Sequence, residues 1–378
     1  MTIQSASAAF TRFFVPEPTV EDFWTFVDES LKAGRFDDFP EGAESAAGFA
    51  SWDDLFDSSF EFASYHRGEY AAFHYRVDQR KVSAIVLKQH VRQAVQTYRK
   101  EHEGRGPSRL ERQKIREDVR NELLARMLPQ PSGCDVVWHP SRHWLLVGTT
   151  SLKMIESFLE HFERHFRLYP VPLYHAQWAM HLLPLSAGEK DRLASLVPLK
   201  SPHAMHEGRF LGYEFLTWLW FLTEAGGGTA AVDEGRRAEL TLGERIVLSR
   251  QDDGRERIIC TTQAGALHEA RTALQQGKLV EEIQMAARVG DNDYQWVMDR
   301  DLWGVKGLKI PRQSSEHEAN DPEGRFLETM YFLEEFLTLI DALFLQFLKL
   351  RLNPGWESDA LPQLKRWIEG NAPDSPPF

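Results

Sequence analysis

Two cysteines, Cys134 and Cys260, are all that the 378 residues contain, and neither lies at ligand spacing from a second Cys or a His. A disulfide framework and a Cys/His zinc site are therefore unsupported, and a reducing, cytoplasmic compartment fits. The stretch MTIQSASAAFTRFFVPEP lacks a basic segment followed by a long apolar core, so it does not read as a secretory signal. No long hydrophobic run is free of charge: the segment from Arg325 to Leu352 carries Glu328, Glu334, Glu335 and Asp341, which argues against a membrane span. The motifs GxSxG, GxxxxGK[ST] and HExxH are also missing. The expectation is a non-enzymatic protein with no cofactor and no membrane partner.

What is present is a large apolar inventory, with eleven Trp and 24 Phe, too much for a disordered chain. A strand is expected over Ala9 to Val15, then a helix through TVEDFWTFVDESLKAG with Thr19 as N-cap and Gly34 as its stop. EYAAFHYRVD reads as a second strand. Two long helices follow, about Ser83 to Glu103 and Ser108 to Leu128, broken by Gly104, Gly106 and Pro107. CDVVWHP and HWLLVGTT form a strand pair, with a helix from Ser151 to about Phe166. Residues 171–250 are less legible, and EAGGGTAAVDEG reads as a flexible loop. Antiparallel strands resume through AELTLGERIVLSRQDDGRERIICTT, then a short helix stopped by Gly277, three more strands and the long apolar helix. The fold class is α+β, with antiparallel sheets, a long charged helical hairpin and a long C-terminal apolar helix. The recurrence of helix, two strands and helix before 170 and after 264 hints at two related halves. The expected regions are 1–170, a variable centre at 171–250, 251–352 and a tail at 353–378.

Charge is unevenly spread. Between Arg76 and Arg126 fourteen Lys and Arg face seven Asp and Glu, a net of +7, so the rest of a chain of formal charge -12 carries -19. At ~100° per residue Lys88, Arg92 and Arg99 share a narrow sector beside the apolar series Leu87, Val91, Ala94, Val95 and Tyr98. On the next helix Arg109, Arg112, Arg116 and Arg120 flank Ile115, Val119, Leu123 and Met127. Such one-sided stripes sum their fields, whereas interleaved charges cancel within a Debye length of ~8 Å. A solvated helix face is the plain reading. A polyanion site, with Arg and Lys neutralising phosphates irrespective of sequence, is the sharper one.

Other constellations are thinner. His161 and His165 stand four apart on a helix, the spacing of two metal ligands, without a third. The acid pairs Asp252/Asp253, Glu281/Glu282 and Asp291/Asp293 are turn or strand acids that a metal-dependent nuclease could use.

The order RKVSAIVLKQHVRQAV, NELLARMLP, the strands to LLVGTT, the helix ending at RLYPVPL, and TQAGALHEARTALQQGKLVEEIQMAARVGDNDYQWVMDRDLWGVKGLKI resembles the recombination-associated RdgC family of bacterial DNA-binding proteins. The likeness spans most of 75–173 and 255–350. It implies an α+β homodimer closed into a ring around double-stranded DNA, nucleoid-associated, restraining RecA recombinase by occupying DNA. Lys88, Arg92, Arg99, Arg109, Arg112, Arg116 and Arg120 would then contact phosphates. Thr262 and Gln263 would sit at a subunit contact, Gln263 matching the family and Thr261-Thr262 standing where lysines are typical. The alternatives are a scaffold whose hairpin binds an acidic protein, and a metal-dependent nuclease.

Overall fold

The computed structural model describes residues 3, 5, 7–40, 42–197, 207–250, 256–261, 266–311 and 321–370. Its frame is an antiparallel sheet of β1 (Ala8–Phe14), β2 (Ser45–Ser51), β3 (His66–Arg67), β4 (Tyr70–Gln79), β5 (Gln130–His139), β6 (Trp144–Val147), β7 (Val171–Pro172), β8 (Thr229–Ala231), β9 (Arg237–Ser249), β10 (Arg257–Thr261), β11 (Leu279–Val289), β12 (Asn292–Asp299) and β13 (Gly304–Lys309). The main path runs β10-β9-β11-β12-β13-β1-β6-β5-β4-β2, with β3, β7 and β8 pairing beside it. The expected separate sheets are thus one, joined where β1 pairs with β13 at Phe10↔Val305 and Thr11↔Gly304.

Patterning separates the two halves of this sheet. In β5 and β6 successive residues alternate between two cores: Val136, Trp138, Leu145 and Val147 enter one, and Val137, Trp144 and Leu146 the other. Both faces are covered, so the strands read as continuous apolar runs. The first core is closed by α1 (Phe23–Ala33) and α4 (Leu152–Phe166), which contribute Val27, Leu31, Ile155, Phe158, Phe162 and Phe166. In β11 and β12 burial alternates, with Met285, Ala287, Tyr294 and Trp296 inside and Gln284, Arg288, Asp293 and Gln295 outward, except where the register with β9 shifts and Glu282 and Ile283 are both buried. That half leaves one face to water, as antiparallel sheets commonly do.

Three expectations from the sequence need correction. The N-cap of α1 is Asp22, whose carboxylate accepts from Trp24 N at 3.1 Å, rather than Thr19. The glycine-rich segment is partly ordered, because Thr229–Ala231 pairs with β9. The centre is not merely variable: it holds α5 (His175–Leu182), α6 (Ala187–Leu196) and α7 (Arg209–Glu224), the last buried on nearly every side. Gly212 lets α7 lie directly on the chain after β12, since a Cβ there would come within 1.8 Å of the Arg300 carbonyl oxygen. The remaining helices outside the hairpin are α8 (Ala266–Gln275), α9 (Pro322–Arg351) and α10 (Leu361–Ile368). Among the described residues no helix is long and apolar enough to cross a membrane.

Helix α9 is laid across the inner sheet face. Phe336 meets Phe10, Tyr294 and Trp296; Phe326 meets Trp52 and Tyr70; Phe344 meets Trp178 and Phe215. Three of its acids are anchors. Asp341 accepts from both Nη atoms of Arg12 (2.7 and 3.0 Å) and from Trp178 Nε1 (2.5 Å), and Glu334 accepts from Tyr70 Oη at 2.9 Å. Buried Glu335 accepts from Tyr294 Oη (2.5 Å), Asn292 Nδ2 (2.7 Å) and Arg236. Burial, then the adjoining carboxylates, push the Tyr70 and Tyr294 phenols well above their ordinary range, so both remain donors.

Because Phe336 touches rings from both halves of the sheet, Phe336→Ala should cost about 3–5 kcal/mol, the range for a large core truncation. Urea unfolding followed by tryptophan fluorescence and far-UV circular dichroism should show one shifted transition. Loss of only one half, seen as two separated transitions, would contradict the shared role of α9.

Candidate nucleic-acid interface

Strands β4 and β5 pair without interruption from Ala71↔Trp138 to Gln79↔Gln130. The chain between them forms α2 (Ala84–Glu101) and α3 (Arg109–Arg126), so a helical hairpin grows from the open end of a rigid two-stranded ladder. It packs chiefly on itself. No residue of α2 is buried and only Leu123 and Leu124 of α3 are, while Leu87, Val91, Ala94, Val95 and Tyr98 are half-buried, as are Ile115 and Val119. This is the seam expected from the spacing.

Both ends of the hairpin are tied. At the tip Ser108 and Glu111 form a capping box, in which Ser108 N donates to Glu111 Oε2 at 2.7 Å and Glu111 N to Ser108 Oγ at 3.4 Å. Tyr98 Oη donates to Glu111 Oε1 at 2.6 Å, bridging the two helices, and Arg112 Nε donates to the Pro107 carbonyl at 3.1 Å. The Tyr98 and Ser108 hydrogen bonds hold the Glu111 carboxyl down at about 2. Near the root Arg120 grips Glu44 through both oxygens at 2.5 Å, and this holds the Glu44 carboxyl below its usual range.

Antiparallel packing decides where the charges point. In each helix the basic stripe is offset from the apolar seam in the same rotational sense along the chain. Reversing one helix against the other therefore brings both stripes to the same side of the hairpin. Lys88, Arg92 and Arg99 join Arg109, Arg116 and Arg120 there, with Arg112 nearer the seam. Glu111, Asp118 and Glu122 project to the opposite flank of α3.

Lys88, Arg92, Arg99, Arg109, Arg112 and Arg116 are exposed, and among the described residues none has a carboxylate within ion-pair distance. Arg120 is different: half-exposed and committed to Glu44, it secures the hairpin as well as adding charge. Glu44 escaped the sequence reading because its partner is 76 positions away. The capping box was missed as well, although SRLE carries its Ser-x-x-Glu spacing. Thr262 and Gln263 lie outside the described residues. His161 is a packing residue, its Nε2 bonded to the Gly34 carbonyl at 2.8 Å and its ring beside Phe49 and His165. Burial pushes both imidazoles down. Among the described residues no group of three or more His, Cys, Asp and Glu is arranged to hold a metal ion.

Residues 18–182 match a family model described as "RdgC: Putative exonuclease, RdgC". This span of the chain is similar to the RdgC family. The RdgC match takes in α1 to α5 and so the whole hairpin, in agreement with the first block of sequence likeness; the second block, 255–350, lies beyond it. No curated protein matches the chain.

Glu111 ties tip to seam only as a carboxylate. Its folded value lies below the unfolded one, so its contribution is complete above about 4.5 and fades as pH falls through about 2. Amide exchange in α3 should therefore be unchanged from pH 7 to pH 5 after correction for intrinsic rates, and the Glu111 side-chain resonance should titrate near 2. A midpoint near 4.5 would show that the bonds to Tyr98 and Ser108 do not persist in solution.

Proposed function

We propose that the basic face of the hairpin holds the sugar–phosphate backbone of double-stranded DNA without reading its sequence. The observation that carries this is the set of exposed, carboxylate-free cations gathered on one side of an arm that packs chiefly on itself. A solvated helix face gains a few tenths of a kcal/mol from each i,i+4 ion pair, yet Lys88, Arg92, Arg99, Arg109 and Arg116 make none. Duplex DNA offers a phosphate charge every ~1.7 Å of axis, and each cation that meets one releases a condensed counterion. RdgC proteins are recombination-associated DNA-binding proteins, which favours this ligand over an acidic protein partner.

The complete reading is a homodimer that closes around the duplex, with the region of Thr262 and Gln263 at a subunit contact, and restrains RecA-type recombination by occupying DNA. Overall acidity supports it: a chain carrying -19 outside the segment from Arg76 to Arg126 repels DNA everywhere except at the basic face. The family description also raises a second reading, an exonuclease, which would need a metal site or another hydrolytic centre. No such metal cluster occurs among the described residues.

A gel-shift titration of linear duplex, with and without Mg²⁺, separates these readings. Retardation without shortening is the expected outcome; shortening in Mg²⁺ supports the exonuclease, and neither effect supports a protein scaffold. Replacing Arg109, Arg112 and Arg116 with Glu should weaken binding at least about 100-fold and lower the slope of log K against log salt by about 3. Sedimentation should show the oligomer unchanged. Unaltered, salt-insensitive affinity would overturn the proposal.

A further inference from the structure

We propose that the hairpin tip is a stacking platform for an unpaired nucleobase, set beside the arginines that hold the backbone; this rests on the phosphate-binding reading above. Tyr98 and His102 lie one turn apart at the end of α2, their rings within 9° of parallel and their centroids 3.9 Å apart. Each ring is pinned from its own direction. Tyr98 Oη donates to Glu111, which the capping box fixes, and His102 Nδ1 bonds the Tyr98 carbonyl at 2.9 Å. The Nε2 edge and the outer face of His102 are left to solvent, and His102 is exposed.

The backbone reverses immediately beyond. Glu103 and Gly104 take left-handed φ of 50° and 86°, Gly104 N bonds the Arg99 carbonyl and Arg105 N the His102 carbonyl, both at 2.8 Å. This reversal holds the backbone of Arg105 against that of His102. Arg99, Arg105 and Arg109, all exposed, flank the stack in sequence on both sides of the reversal.

A flat aromatic surface, already ordered, with Arg99, Lys100, Arg105 and Arg109 against Glu101 and Glu103 around it, fits a base with phosphates on either side. Every base has a π-face, so the contact is indifferent to sequence. Acidic peptides would satisfy the arginines and leave the ring bare. Bases inside a duplex are already stacked on each other, so the occupant is an unpaired base at a single-stranded overhang or a frayed end. Because His102 and Tyr98 are immobilised before binding, little side-chain freedom is lost on contact.

The test compares a closed circular duplex with a linear duplex bearing a short overhang that carries 2-aminopurine. For the unaltered protein the overhang should tighten binding roughly tenfold, within the range for one stacked base, and the fluorophore should be quenched. His102→Ala should remove both effects, with affinity for the circle within twofold and helical content by circular dichroism unchanged; His102→Phe should restore them. Equal affinity of the unaltered protein for circle and overhang, or quenching that survives His102→Ala, overturns the platform alone. Failure to bind either DNA overturns the phosphate reading and the platform with it.

Discussion

The seating of α9 on the inner sheet face is the contact on which the rest of the molecule depends. Its apolar stripe touches strands from both halves, so the inner-face core they share is not complete without it. The acids within that stripe would be costly to bury alone, since an unpaired carboxylate in a low-dielectric site loses its hydration without return. Here each has a donor from a different strand or helix: Arg12 and Trp178 for Asp341, Tyr70 for Glu334, Tyr294 and Asn292 for Glu335. Such pairs add little net energy. They add register, because sliding α9 by one turn would strand three carboxylates.

That seating reaches the hairpin through β4. Tyr70, at the start of the strand, is held by Glu334, and the ladder with β5 runs from there to Gln79, where the chain leaves for α2. A stiff root matters to an arm that adds almost nothing to either core. The hairpin is thereby free of core constraint, and its surface composition can answer to a partner. The cations of its basic face stay unpaired because Glu111, Asp118 and Glu122 of α3 project to the other flank and Glu117 accepts from Gln113, while Arg120 gives its charge to Glu44 at the root.

Legibility followed the range of the interactions that shape each element. The bounds of α2 and α3 could be read because Gly104, Gly106 and Pro107 break the chain between them, all within a few residues. Strands β11 and β12 alternate visibly, since only one of their faces is buried. The helix α7 could not be placed: its sequence is apolar nearly all round, which erases the period that would mark a face. Ser45–Ser51, to which the sequence assigned no element, is an edge strand by its pairing with β4. Thr229–Ala231 became a strand only because β9 passes beside it.

The candidate interface divides in the same way. Local spacing alone determined that Lys88, Arg92 and Arg99 share one sector and Arg109, Arg112, Arg116 and Arg120 another, because helical periodicity is a property of neighbouring residues. Tertiary structure decided that both sectors open to one side, since that requires the two helices to pack antiparallel along their seam. It also decided that Arg120 is engaged and its neighbours are not, because Glu44 comes from a distant part of the chain. Periodicity is written in the sequence; which charges remain uncompensated depends on what the fold brings beside them.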